Sequence, residues 1–139
     1  MNFKETEEYL DQAARHGIKP SLDRIRILCS KLGDPQLAFP SIHITGTNGK
    51  TSTARLISSI LEAGGRKVAR YTSPHMQSVT ERMCINGRPV SERDFAALLQ
   101  EILPQVKETD RETGDPLSYF EITTAMAFVH FAKRKVDAG

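Results

Sequence analysis

One stretch decides the fold expected for this chain, and it reads Thr45-Gly46-Thr47-Asn48-Gly49-Lys50-Thr51-Ser52. Before it, residues 42–45 form a short β-branched run that predicts a strand. After it, apolar residues at helical spacing predict a helix from Lys50 to about Ala63, which Gly64-Gly65 ends. A glycine-rich turn between a strand and a helix is the setting of a phosphate-binding loop.

The residues of this loop suit the phosphates of a nucleotide. Gly46 and Gly49 let backbone N–H groups curl around phosphate oxygens, and the amino end of the next helix adds its positive dipole. Lys50 supplies a cation for the β- and γ-phosphates and is the predicted catalytic residue. The hydroxyl of Thr51 or Ser52 can reach Mg²⁺ or a phosphate oxygen. We therefore predict ATP and Mg²⁺ as cofactors, with residues 46–52 binding the nucleotide and Thr51 a metal ligand.

The composition of the 139 residues is that of an ordinary globular domain. A formal net charge of +2 is too small to indicate nucleic acid binding, although it suits small anionic ligands. No apolar run approaches the roughly 20 residues that span a bilayer, and the acidic, polar start is not a signal peptide. Cys29 and Cys84 lack C-x-x-C spacing, which predicts buried, reduced thiols in a cytoplasmic protein.

Two helices are predicted before the phosphate loop and a βαβ unit around it. The first helix starts near Phe3, and the second opens at Pro20-Ser21 with Ser21 as its N-cap. Residues 67–72 predict the strand that follows the loop helix. Strand, helix and strand in so few residues predict a parallel sheet. The expected fold class is α/β, an incomplete parallel sheet with a P-loop NTPase-like βαβ unit, preceded by two helices.

The remaining residues predict a hairpin and two helices. Asn86-Gly87 is a hairpin turn signal, with extended residues on both sides. In the predicted helix that follows the phosphate loop, the residues expected to face inward are Leu56, Ile57, Ile60 and Leu61. After the hairpin, the sequence predicts a helix from Ser91 to Val106 or beyond, a polar loop at 109–116, and a last helix that begins at Ser118.

Six segments of the chain resemble those of a known enzyme family. Ile44 stands where the general Walker pattern has a glycine, and the shorter loop that results resembles the phosphate loop of the Mur ligase superfamily. Within that superfamily, the remaining motifs are similar to those of folylpolyglutamate synthases and dihydrofolate synthases. They are Ser73-Pro74-His75-Met76 (S-P-H-L in the family), Glu81-Arg82, Ile85-Asn86-Gly87, Ser118-Tyr119-Phe120-Glu121 (aromatic-Phe-Glu), and residues 22–25 (G-L-x-R-[IV]).

The resemblance implies roles for individual residues. Ser73 corresponds to a Mg²⁺ ligand, and the loop after it, with His75 and Arg82, lies near the folate pocket. The segment Ser118, Tyr119, Phe120 and Glu121 would help bind the pterin-containing substrate. A structural role is open as well, because Ser118 and Glu121 form an S-x-x-E capping box and Phe120 suits a core position.

The resemblance also implies an activity. Such enzymes transfer the ATP γ-phosphate to a substrate carboxylate, and the amine of L-glutamate attacks the acyl phosphate. The carboxylate substrate would be dihydropteroate or a folate, and no nucleic acid or membrane partner is expected. Residues 1–139 would be the N-terminal part of the ATP-binding domain. The full-length enzyme is expected to be monomeric, and the fragment alone is expected to be inactive and to self-associate through an exposed sheet edge.

Two other functions fit the motifs less well. A Mur-type peptide ligase of cell-wall synthesis shares the phosphate loop, but the Ser73-Pro74-His75 and Glu81-Arg82 motifs argue against it. A nucleotide-binding module without ligase chemistry would have the loop alone. Which folate reaction is catalysed, glutamate extension, dihydrofolate synthesis or both, stays open at this point.

Overall fold

The computed structural model describes residues 1–18 and 20–139. It is an α/β structure in which five helices accompany a three-stranded antiparallel sheet. The elements in chain order are α1 (Phe3–Ala14), α2 (Asp23–Lys31), α3 (Lys50–Ala63), β1 (Ala69–Tyr71), β2 (Met83–Ile85), β3 (Arg88–Pro89), α4 (Glu92–Thr113) and α5 (Tyr119–Lys133). None of the described helices is both long and apolar enough to cross a membrane.

Helices α1, α2, α4 and α5 enclose the core. Phe95 and Ile102 of α4 and Met126 of α5 are fully buried there, together with Leu10 of α1 and Leu28 of α2. Helix α5 is buried over most of its circumference, because nearly every residue from Ile122 onward is small or apolar. Both cysteines are buried and unpaired, as predicted, and burial raises the pKa of Cys29 to about 11.

The hairpin predicted at Asn86-Gly87 is confirmed. β1 and β2 pair antiparallel with Tyr71 opposite Met83, and β3 pairs back onto β2. Asn86 has a φ of 48° and Gly87 a φ of 74°. Positive φ at both central residues is what a tight two-residue turn between twisted strands requires.

The strand predicted at residues 42–45 is not formed. Of residues 40–45, only Pro40 and Ile42 exchange backbone hydrogen bonds with described residues, both with Gly139 at 2.9 Å. One parallel bridge, Val68 to Ala138, lies outside the antiparallel sheet. A strand exists only where a neighbouring strand accepts and donates along its length, and residues 43–45 have no such neighbour among those described.

Helix α3 has the predicted bounds, but its apolar face is not inward as predicted. Leu56 is 65% exposed and Ile60 is 71% exposed, while Ile57 and Leu61 are half-buried. Ser58 is the one fully buried residue of the helix. No described element covers the outer side of α3, so its amphipathic pattern has nothing to pack against there.

Two further predictions were wrong. Residues 109–113 continue α4 instead of forming a loop, because Thr109 is completely buried and its hydroxyl donates to the carbonyl of Gln105 at 2.8 Å. The helix ends only at Gly114, in the left-handed conformation that favours glycine. The N-cap of α2 is Leu22 instead of Ser21, whose hydroxyl accepts from the N–H of Asp23 at 3.2 Å.

Candidate nucleotide and substrate site

The phosphate loop ends in a helix whose amino terminus has no side-chain cap. Gly49 is the N-cap of α3 with a φ of 73°, and no side chain accepts from the first turn. Helices α1, α4 and α5 differ, because each has a capping side chain and an acidic residue in its first turn. The first N–H groups of α3 are therefore left without a side-chain acceptor, beside the positive end of the helix dipole. This geometry favours an anion.

The predicted nucleotide-binding residues lie together at this helix end. All of residues 46–52 are exposed, including Lys50, Thr51 and Ser52 in the first turn. Lys50 forms no ion pair with any residue that the structure describes. Gly46 has a φ of 149°, and a Cβ built there would meet no atom closer than 3.9 Å. Glycine is favoured at this position by the positive φ of the backbone, and not by a lack of space for a side chain.

The loop that follows β1 is organised by Glu81. Its carboxylate accepts the backbone N–H groups of Met76 (3.2 Å), Gln77 (3.0 Å) and Ser78 (2.9 Å). These hydrogen bonds, that of Ser78 first, lower the pKa of Glu81. Ser73 lies exposed at the start of the loop, and the peptide bond between Ser73 and Pro74 is cis. The sequence motif Glu81-Arg82 thus includes a carboxylate that shapes the loop, a role not predicted for it.

Arg82 joins two other predicted substrate residues. Its Nε donates to Nδ1 of His75 at 2.9 Å, and its guanidinium carbon lies 5.2 Å from the ring centroid of Tyr119. Because Nδ1 accepts this bond, the ring proton of His75 resides on Nε2. The structure therefore brings His75, Arg82 and Tyr119 into one cluster, and their role in substrate binding stays a prediction.

An exposed aromatic surface adjoins this cluster. The ring of Phe120 is stacked on that of Tyr71, with centroids 6.3 Å apart and an interplanar angle of 29°. Phe120 is 52% exposed, so the core position considered for it is wrong. Sequence reasoning missed Tyr71, whose hydroxyl meets that of Thr123 at 3.0 Å. The sequence feature that could have indicated Tyr71 is its position as an aromatic residue at the end of a predicted strand, two positions before Ser73.

Glu121 and Ser118 are buried below this surface. Oε1 of Glu121 accepts from Nε (3.1 Å) and Nη2 (2.9 Å) of Arg24 and from the N–H of Ser118 (3.1 Å). The Ser118 hydroxyl accepts from the N–H of Glu121 at 3.2 Å, which completes the capping box. Oε2 of Glu121 is buried with no partner among the described residues. The geometry accounts for Ser118 and Glu121 as the cap of α5.

Arg24 is the second residue that sequence reasoning did not single out. It is only 5% exposed, and its guanidinium also pairs with Asp115. The family-like segment at residues 22–25 contained it, but an arginine in a helix gives no sign of its partner. The partner, Glu121, is 97 positions away in sequence.

Protein ligands for a metal ion are few. No group of three or more His, Cys, Asp or Glu side chains among residues 1–18 and 20–139 is placed to hold one. Thr51 and Ser73 offer hydroxyl oxygens. Mg²⁺ commonly keeps several waters and takes nucleotide phosphates as ligands. The residues present therefore fit a magnesium ion held largely by a bound nucleotide.

No protein-family model matches the chain. It is 45% identical over 141 residues to a dihydrofolate synthase/folylpolyglutamate synthase of Mycobacterium tuberculosis, an alignment that covers 96% of this chain and 29% of that protein. A structure of M. tuberculosis folylpolyglutamate synthase complexed with ADP matches with a TM-score of 0.92 at 45% identity, covering 98% of this chain and 30% of the other. A folylpolyglutamate synthase–AMPPCP–folate complex matches with a TM-score of 0.91 at 33% identity, covering 99% and 34%.

The chain thus spans about a third of the length of these proteins. The similarity extends over nearly the whole chain in both sequence and backbone. Over the part of their length that it spans, the chain therefore belongs to the family of folylpolyglutamate synthases and dihydrofolate synthases.

Proposed function

We propose that residues 1–139 are the N-terminal part of the ATP-binding domain of a ligase that joins L-glutamate to the carboxylate of a folate or dihydropteroate. The observation that carries the proposal is the uncapped amino end of α3 behind Gly46 and Gly49, with Lys50 in its first turn. Relatives solved with ADP, and with AMPPCP and folate together, support it.

Each loop residue has a role in this proposal. Lys50 offsets negative charge on the β- and γ-phosphates while the phosphoryl group moves to the substrate carboxylate. Backbone N–H groups of residues 46–52 hold the phosphates in place. The hydroxyls of Thr51 and Ser73 complete the ligands of Mg²⁺, which stabilises the charge of the transferring phosphoryl group when bound. Phosphoryl transfer leaves ADP, and the amine of glutamate then attacks the acyl carbon, which forms the amide as inorganic phosphate and a proton leave.

The aromatic surface is the proposed place of the pterin-containing substrate. A flat heterocycle can stack on Phe120, which already stacks on Tyr71 and is half exposed. Arg82 and His75 add hydrogen-bond donors at the same edge, with Tyr119 beneath the guanidinium. Glu121 and Ser118 would contribute by fixing the amino end of α5, from which Tyr119 and Phe120 extend.

The predicted parallel sheet also belongs to this proposal. Residues 138–139 lie between two neighbouring segments and pair with both in the parallel pattern. On one side Gly139 forms hydrogen bonds with Pro40 and Ile42, and on the other Ala138 forms a parallel bridge with Val68. We infer that residues 40–42, 137–139 and 67–69 are neighbouring segments of one parallel sheet. Ligands of such sheets bind at the carboxyl ends of the strands, where residues 46–52 and Ser73 follow.

The test is nucleotide binding by the chain itself. We expect Mg²⁺–ATP to shift the amide resonances of Gly46 and Gly49, and Lys50→Ala to weaken binding by roughly tenfold, since a charge-assisted hydrogen bond is lost. Lys4→Ala, an equally exposed lysine on α1, is the matched control and should bind as the unaltered chain does. Equal affinities of the two variants would contradict the phosphate-loop assignment.

The activity is tested in the longer ligase. Glutamate-dependent ADP release with dihydropteroate or with a folate as the second substrate would separate the two reactions, and Lys50→Ala should abolish both while leaving the melting temperature unchanged. ADP release at the unaltered rate in a folded Lys50→Ala enzyme would overturn the proposal. The chain by itself is expected to bind nucleotide without forming acyl phosphate.

A further inference from the structure

A groove of about 500 Å³ lies at the opposite end of β1 from Ser73. It runs between the β2–β3 hairpin, the start of α4 and the end of α5. We call it the hairpin groove, and its polar lining consists of Lys67, Asn86, Arg88, Ser91, His130 and Arg134, with Asp94 at one side. Ser73 lies six positions after Lys67 along a mostly extended segment, a distance on the order of 20 Å. The groove is therefore distinct from the candidate nucleotide and substrate site.

The charge of the groove is positive. Lys67, Arg88 and Arg134 line it against a single lining carboxylate, Asp94, which pairs with Arg134 at 3.3 Å. A second carboxylate nearby, that of Asp137, accepts the backbone N–H of Lys67 at 2.7 Å. The side chain of Arg88 forms no hydrogen bond or ion pair with any described residue. Its charge is thus left for a ligand or for solvent.

The polar groups not engaged within the protein are donors. Asn86 uses its Oδ1 to accept the N–H of Val68 at 2.8 Å, which leaves its amide N–H groups. Ser91 uses its oxygen to accept the N–H of Asp94 at 3.0 Å, which leaves its O–H. Lys67 donates one N–H to the carbonyl of Arg134 and keeps two. A lining of cations and free donors matches an acceptor-rich, negatively charged ligand.

His130 gives independent support for a ligand. It lines the groove and is only 6% exposed, and its ring forms no hydrogen bond with a described residue. The ring nitrogens keep some exposure at the wall of the groove, so a ligand in the groove can reach them. The start of α4, where Ser91 is the N-cap, adds the positive end of a helix dipole.

We propose that the hairpin groove binds a small, multiply charged oxyanion, held by Arg88 and Lys67 and hydrogen-bonded by the ring of His130. The oxyanion is a phosphate or a carboxylate, which offer the same acceptor chemistry to these donors. The geometry assigns a binding site only, separate from the proposed ligase reaction and independent of it.

The experiment follows the ring resonances of His130 in the 139-residue chain. Their assignment comes from the signal lost in His130→Gln. The unaltered chain is titrated with inorganic phosphate and, separately, with succinate, against sodium chloride of equal ionic strength. Burial, and then the charge of Arg134, lower the pKa of His130, and a bound anion should raise that pKa.

Arg88→Gln is the test variant and Arg111→Gln is its matched control, because Arg111 is an exposed arginine at the far end of α4. We expect Arg88→Gln to weaken oxyanion binding about tenfold, as loss of a charged hydrogen bond does, and Arg111→Gln to have no effect. A response to phosphate alone or succinate alone supports the site and identifies which oxyanion it takes. An identical His130 pKa in phosphate, succinate and chloride, or equal binding by the two arginine variants, would overturn it.

Discussion

Arg24 connects the second helix to the start of the last one. It is buried together with Glu121, and their hydrogen bonds of 3.1 and 2.9 Å share a single carboxylate oxygen. The same oxygen accepts the N–H of Ser118, so the arginine also holds the cap of α5. Tyr119 and Phe120 lie within this cap. The position of the aromatic surface therefore depends on an ion pair beneath it.

Removing Arg24 leaves a buried carboxylate without its cation. We expect Arg24→Met to lower the free energy of unfolding by about 3 kcal/mol or more. Combining it with Glu121→Gln should cost less than the two single changes added together, because the second change removes the orphaned charge. Urea denaturation of the four proteins measures this coupling. Arg26→Met, an exposed arginine on the same helix, is the control, and a strictly additive double variant would show that the pair contributes nothing specific.

His130 makes stability depend on pH in a defined direction. Burial first, and then Arg134, lower its pKa in the folded chain, with smaller effects from Lys133 and Lys67 and an opposing one from Asp94. The unfolded chain therefore binds the proton more readily, so stability is lost as pH falls below the unfolded pKa of about 6.5.

We expect the free energy of unfolding to fall between about pH 7 and about pH 5, and to fall less in His130→Gln, which cannot take up that proton. Urea denaturation at both pH values, in chloride buffer without phosphate, gives the two differences. Carboxylates such as Glu81 titrate in both proteins and cancel in the comparison. Equal losses in the two proteins would show that His130 is not responsible.

At the scale of elements, α3 and α5 differ most in how their amino ends are capped and in how much of each helix is buried. Helix α5 is capped by Ser118 and surrounded by α1, α2 and α4, whereas α3 has no side-chain cap and a single buried residue. Local opening of a helix costs little where few apolar contacts are lost. The helix that follows the phosphate loop is thus the least supported of the long helices in the described residues.

Hydrogen exchange measures this difference directly. We expect the backbone amides in the middle of α3 to exchange faster than those in the middle of α5, and Mg²⁺–ATP to slow exchange at the start of α3 only. Helix α1, which is capped and partly exposed, should lie between the two. Protection of α3 equal to that of α5 without nucleotide would contradict this ranking.

For the whole molecule, the exposed side of α3 carries two apolar side chains that are open to solvent. Leu56 and Ile60 lie four positions apart on one face of the helix and are mostly exposed. A contiguous apolar surface of this kind promotes association between copies. Together with unpaired backbone groups at residues 43–45, it is the surface through which self-association of the chain is expected.

We therefore expect the chain to sediment as a monomer only at low concentration. Ile60→Lys should shift the association to higher concentration, because the charge cannot be buried against a second copy. Leu37→Lys changes an equally exposed residue away from α3 and should leave the association unaltered. Sedimentation equilibrium of the three proteins tests this, and identical curves would remove α3 from the interface.

Local chemistry was readable from the sequence. The bounds of α3, the hairpin at Asn86-Gly87 and the capping box of Ser118 and Glu121 were predicted because neighbouring residues along the chain determine them. The family-like motifs were readable for the same reason. They implied substrate-binding roles for His75, Arg82 and Tyr119, which stay predictions, and the structure places these three side chains together.

The tertiary structure decided whatever depends on residues far apart in sequence. An apolar stripe on α3 predicts that the helix is amphipathic, but only the elements packed around it determine how much is buried. A β-branched run predicts a strand, but hydrogen bonds to a neighbour make one, and residues 43–45 have none. Arg24 meets Glu121, and Arg88 comes to line a groove with His130, only after the chain has folded. Local sequence determines which structure a segment favours, whereas burial and pairing are properties of the folded whole.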